Sequence, residues 1–220
     1  MDSAAIPADD FIDRRAGIHP DQLAVLVGSR LCHDIISPLG AIGNGVELLQ
    51  ISGEFPTIAR SAEMQLIVES IEAARSRIGI FRMAFGHTSA EQRVSGAEFE
   101  SLLQGYDRNG RLRISFDPPG DLPRIDARLI VLGLMCLETA MAWGGRVLVC
   151  RGEQGWRLVA ETSRIKADAA LWMWLDQGSE PLADINPSEV HFALLSELVR
   201  SHDRSLRWEL DEAGGEIAFF

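Results

Sequence analysis

Ser29-Arg30-Leu31-Cys32-His33-Asp34-Ile35-Ile36-Ser37-Pro38-Leu39-Gly40-Ala41-Ile42 is the stretch on which the reading of this chain turns. Around it, apolar residues recur at Leu23, Val27, Leu31, Ile35, Ile42, Val46 and Leu49. Steps of three and four, with one of seven across Pro38, are the spacing of one helix face. At about 100° per residue, His33 projects roughly 160° from the middle of that stripe, so the spacing predicts an exposed imidazole. Ser29, Arg30, Ser37, Gly40 and Asn44 share its side of the helix. All but Arg30 are small, which leaves room for the backbone of another protein to approach the ring. Pro38 stands inside the pattern, where proline costs about 3 kcal/mol or more, so a bend there is expected to serve a purpose.

The helix is predicted over 20–51. Pro20 and Asp21 suit its first turn, one through its fixed φ and the other through its charge against the helix dipole. Gly53 ends it, and Pro56 with Thr57 opens a second helix. There Met64, Ile67, Ile71, Ala74, Ile78, Phe81 and Phe85 form a seam that runs out near Gly86. Two antiparallel helices with one seam each close only one interface and leave an apolar stripe facing water. A second copy would cover it in a four-helix bundle, so a homodimer is expected; the alternative is that the stripe packs on the chain's own second domain.

Residues 1–18 are polar and are expected to lie loosely on the surface, and 87–96 read as a linker after a hairpin over 19–86. From 97 to 220 the pattern is mixed. Helices are predicted over 97–106, from a cap at Asp126 to Trp143, over 169–176 and over 188–201. Strands are predicted over 111–116, 146–151, 156–161, 205–210 and 216–220, with 152–155 as a hairpin turn. The fold class is α+β: a helical hairpin followed by an α/β sandwich.

The 220 residues carry a net charge of -11, with 46% apolar and 24% charged side chains, which is globular material of the wrong sign for a phosphate backbone. Nucleic acid is therefore not an expected partner. No run of eighteen apolar residues and no basic, apolar leader is visible, so a cytoplasmic protein without a membrane segment is expected. Cys32, Cys136 and Cys150 are odd in number and lack a CxxC pair, which predicts reduced, structural thiols. No His and acid spacing matches a metal-ligand set.

The pattern His33-Asp34-x-x-x-Pro38-Leu39 resembles the phosphoacceptor box of sensor histidine kinases and the phosphotransferases related to them. The order of the later elements, with Val190-His191-Phe192-Ala193-Leu194-Leu195-Ser196-Glu197-Leu198, resembles the ATP-binding domain of the same kinases. The departures decide between the two. In the kinases the long helix carries a magnesium-holding asparagine; in Leu137-Glu138-Thr139-Ala140 that place is taken by Thr139, with Glu138 as a remnant. Thr162-Ser163-Arg164-Ile165-Lys166-Ala167 and Asn186-Pro187-Ser188-Glu189 lack the expected glycines. Phosphate-cradling loops need glycine for positive φ and close NH approach, so ATP is not expected to bind.

Over residues 20–220 the chain thus resembles the ChpT-type histidine phosphotransferases of bacterial phosphorelays. That resemblance implies His33 as the phosphorylated nucleophile and Asp34 as the group that orients or activates its ring. A plain surface charge is an equal reading of Asp34. Ser37 stands one turn on, where it either touches a transferring phosphoryl oxygen or merely keeps the surface small; Gly40 and Asn44 are docking candidates, and Arg30 is a docking candidate for receiver acids or equally a solvated surface charge. The implied partners are the receiver domain of a hybrid histidine kinase and downstream response regulators. The receiver would bring magnesium and a lysine, and the chain itself would need no cofactor. An ATP-using kinase and a non-catalytic scaffold or antikinase are the competing readings. His191 is expected to be a satisfied structural residue, and Trp172 and Trp174 to pack internally.

Overall fold

The computed structural model describes residues 20–86, 91–109, 111–117, 120–176 and 185–220. The N-terminal stretch 1–18 read as loose lies outside them, as do 87–90 of the expected linker.

Helix α1 spans Pro20–Ile51 with Pro38 inside it. The chain turns through Gly53, which takes a φ of 69°. One turn of helix, α2 (Pro56–Ala59), stops at Arg60, and α3 (Ala62–Phe85) starts afresh at Ser61. The Ser61 hydroxyl accepts from the amide of Met64 at 3.2 Å, a cap that holds the new start. The second helix expected from Pro56 is therefore two elements.

α1 and α3 pack antiparallel, but not through the predicted stripe. The α1 face against α3 centres on Gly28, Cys32, Ile36, Leu39 and Gly43, about 100° round from the stripe. Gly28 backs onto Phe85, and Gly43 receives the Arg75 guanidinium where any Cβ would stand. Small residues win this face because they let the two backbones approach. Leu23, Val27, Leu31, Ile35, Ile42 and Leu49 stay in water, with Leu31 57% exposed. By length and composition Leu23–Ile51 is apolar enough to cross a membrane, although Arg30, Asp34 and Glu47 punctuate it.

Beyond the hairpin come β1 (Arg93–Val94), α4 (Gly96–Asn109), β2 (Leu112–Phe116), β3 (Leu122–Pro123) and α5 (Arg124–Ala140). They are followed by β4 (Gly145–Arg151), β5 (Trp156–Glu161), α6 (Ala169–Met173), α7 (Val190–Ser201), β6 (Leu206–Leu210) and β7 (Gly214–Phe219). Part of the expected linker is ordered after all, since β1 pairs antiparallel with β3. The main sheet has the order β2-β4-β5-β7-β6, parallel only between β2 and β4.

Its inner face alternates Val147 and Val149 with Trp156, Leu158 and Ala160 and with Ile217 and Phe219, all buried against α5 and α7. Gly133 lets α5 down onto this face, since a side chain there would press on Leu158 and Phe219. The outer face is wet and carries ion pairs such as Arg157 with Glu216. Asp126 does not cap α5, which begins at Arg124. Its buried carboxylate accepts instead from Trp156 Nε1 and Arg204, each at 3.1 Å. A buried carboxylate needs such partners, and a cap position would not have supplied them. Trp172 is 1% exposed and packs against Phe192 and Trp208, as internal packing predicts.

Candidate functional site

His33 projects from the middle of α1 with its side chain 78% exposed. Its Nδ1 lies 3.2 Å from Asp34 Oδ1. An ionised carboxylate only accepts, so the bond places the ring proton on Nδ1 and leaves the lone pair on Nε2, which faces solvent. Arg30, one turn back, donates from Nε to Asp34 Oδ2 at 2.7 Å. The His33 bond first, and the Arg30 bond after it, hold the Asp34 carboxyl below its ordinary range, so it is ionised throughout neutral pH. The triad Arg30, Asp34 and His33 fixes a tautomer. It adds little stability, because all three groups are exposed.

Ser37 and Asn44 are exposed on the same side. A side chain built at Gly40 would meet nothing within 4 Å, so the surface beside the imidazole is open. The Gly40 carbonyl accepts from Arg75 Nη2 of α3 at 3.2 Å. Arg75 was not legible as a site residue: its one signal is Gly43, the gap into which its guanidinium fits.

The stretches that stand in place of the nucleotide motifs bond to the chain's own residues. Thr139 Oγ1 donates to the Met135 carbonyl at 3.0 Å and lies 3.1 Å from His191 Nε2. Thr139 therefore accepts from His191, and the other nitrogen, Nδ1, is buried without a partner among the described residues. The expectation of a satisfied His191 holds for only one of its nitrogens. Burial pushes its pKa down to about 4. Glu138 accepts from the Tyr106 hydroxyl and stands 4.0 Å from Arg77 of α3, so it joins the hairpin to α4 and α5. Where a glycine loop would follow β5, Thr162 Oγ1 donates to the Gly144 carbonyl at 2.6 Å and the Lys166 amide to the Ala140 carbonyl at 2.8 Å. Among the described residues, no three His, Cys, Asp or Glu side chains stand close enough to hold a metal ion.

The helical hairpin leads into a sheet domain of order β2-β4-β5-β7-β6, and it is this second domain that places the chain in a family. Residues 96–214 match the family model of the histidine phosphotransferase C-terminal domain, and the chain belongs to that family. The protein phosphotransferase ChpT of Brucella abortus (strain 2308) is 34% identical over 129 residues, which span 58% of this chain and 59% of that protein. A solved structure described as a bacterial phosphotransferase superposes with a TM-score of 0.62 at 19% identity, over 99% of this chain and 98% of that one. The histidine kinase domain from the Erythrobacter litoralis EL346 blue-light activated histidine kinase gives a TM-score of 0.41 at 14% identity, over 89% and 92% of the two chains.

Proposed function

We propose that this chain is a cytoplasmic phosphorelay intermediate that carries a phosphoryl group on His33 between receiver-domain aspartates. The observation that carries the reading is the exposed imidazole whose Nδ1 is held by Asp34. In the forward step the Nε2 lone pair attacks phosphorus of an aspartyl phosphate. The new N–P bond forms as the P–O bond to the carboxylate breaks, and the bonding pair leaves with that carboxylate. The Nδ1 proton stays shared with Asp34, which offsets the positive charge the ring gains. The reverse step onto a second receiver uses the same geometry. Ser37 meets a transferring oxygen, and Arg30, Gly40 and Asn44 border the docked receiver.

The donor is the receiver of a hybrid histidine kinase and the acceptors are response regulators, which supply the magnesium. The region around Thr139 and His191, where a kinase would hold nucleotide, takes no ATP, and nucleic acid is not a partner. The uncovered Leu23 to Leu49 stripe supports a homodimer through a four-helix bundle. Each leucine or isoleucine buried there contributes about 1.5–3 kcal/mol.

The test is phosphotransfer from a radiolabelled phospho-receiver to the wild type and to His33→Ala, quenched in alkali. Acid-labile, base-stable label on the wild type alone supports the relay. No label from any receiver that binds overturns it in favour of a scaffold.

A further inference from the structure

The junction between the hairpin and the sheet domain holds a cleft of about 320 Å³, lined by α3, Val94 of β1, α4 and the first residue of α5. Its charge is out of keeping with a chain of net charge -11. Arg75, Arg82 and Arg124 line it, against a single carboxylate, Glu98. Among the described residues none of the three arginines makes a salt bridge, and the one bond given to Arg75 goes to the Gly40 carbonyl. Arg124 is half-buried. Burial first, then the nearby Arg82 charge, lowers its pKa, and Glu98 offsets this only in part. Arg75 and Arg82 are exposed and Arg124 is half-buried, so the three charges give the cleft a positive potential that an anion would offset. The remaining wall supplies the Ser76 and Ser101 hydroxyls and the apolar Phe99 and Leu102. Guanidinium forks match phosphate oxygens in pairs, and hydroxyls complete the shell.

We propose that this cleft binds a small phosphate-bearing anion, gripped by Arg82 and Arg124, while the guanidinium of Arg75 stays on the Gly40 carbonyl of α1. It is a site separate from His33, and also from the region around Thr139 and His191 where a kinase would hold nucleotide. The proposal stands apart from the phosphorelay reading. Its ligand bridges the hairpin and the sheet domain, because Arg75 and Arg82 belong to α3 and Arg124 to α5.

The experiment is calorimetric titration of the full chain at low salt with inorganic pyrophosphate and, separately, with AMP, with adenosine as the uncharged control. The wild type is expected to bind at least one of the two anions with a Kd below about 1 mM. Arg82→Gln with Arg124→Gln is expected to weaken that binding at least about tenfold while the unliganded melting temperature does not fall. Tighter binding of AMP identifies an organic phosphate as the ligand, and tighter binding of pyrophosphate an inorganic one. The two single variants, each losing part of the affinity, serve if the double variant does not fold. Failure of both anions to bind, or equal binding by the variants, overturns the proposal. His33→Ala leaves this binding unchanged, so the result is independent of phosphotransfer.

Discussion

The guanidinium of Arg75 lies against Gly43 and donates at 3.2 Å to the carbonyl of Gly40, so one α3 side chain grips α1 two turns beyond His33. A methyl group at position 43 displaces only the flexible tip of Arg75. Gly43→Ala loses that hydrogen bond but gains about 1 kcal/mol of helix propensity, and its stability is expected to stay within about 1 kcal/mol of wild type. Gly43→Leu has no such offset. It pushes the helices apart and is expected to cost about 1–3 kcal/mol in urea unfolding.

Asp34 accepts the Nδ1 proton as an anion, and an amide accepts it less strongly. Asp34→Asn is expected to slow phosphoryl acceptance about three- to tenfold without changing receiver affinity. Because the Asp34 pKa is lowered, its contribution is present at neutral pH and is lost only as pH falls through its folded value, below the usual carboxylate range. Stopped-time transfer assays paired with receiver-binding titrations separate the two effects, and an unchanged rate assigns Asp34 to the plain surface charges.

His191 is buried at 3% exposure with a pKa of about 4, below its ordinary 6.5. Between those values the unfolded chain takes up a proton that the folded chain refuses. Stability is therefore full above about pH 6.5 and falls as the pH drops toward 4, by up to about 3 kcal/mol. Glu189 reduces the shift slightly. Urea unfolding between pH 7 and 4.5 reads this slope. His191→Leu is expected to flatten it; an equal slope in the variant assigns the acid sensitivity to other groups.

Leu31 and Ile35 sit at the centre of the uncovered stripe, at 57% and 51% exposure. Leu31→Glu with Ile35→Glu places charges where a second copy would seat. Sedimentation equilibrium is expected to show the mass of one chain for the variant and two for the wild type. A wild-type monomer at all concentrations contradicts the bundle.

Much of this architecture is legible in the residues alone. Pro20, Gly53 and Gly86 bound the long helices, and the alternation of Val147, Val149, Leu158 and Ile217 marks the sheet's inner face. His33 and its exposure also follow from the sequence, because an angle along a helix is fixed by residue count. What periodicity does not decide is which of two adjacent α1 faces meets α3. The larger side chains draw the eye to Leu23, Val27 and Leu31, whereas close packing selects Gly28, Cys32 and Gly43. Asp126 reads as a cap because an acid near a helix start usually is one, and only the distant Trp156 and Arg204 reveal its buried role. Arg75 and Arg82 lie two turns apart on one face of α3, but Arg124 is too far along the chain for any motif to join it to them.

The imidazole of His33 projects about 160° from the Leu23 to Leu49 stripe, so whatever covers the stripe lies on the far side of α1 from Nε2. A partner seated over His33 and a second copy seated on the stripe do not compete. Each chain then keeps its own outward-facing acceptor, and receiver titrations saturate at one receiver per chain with a single affinity and no cooperativity.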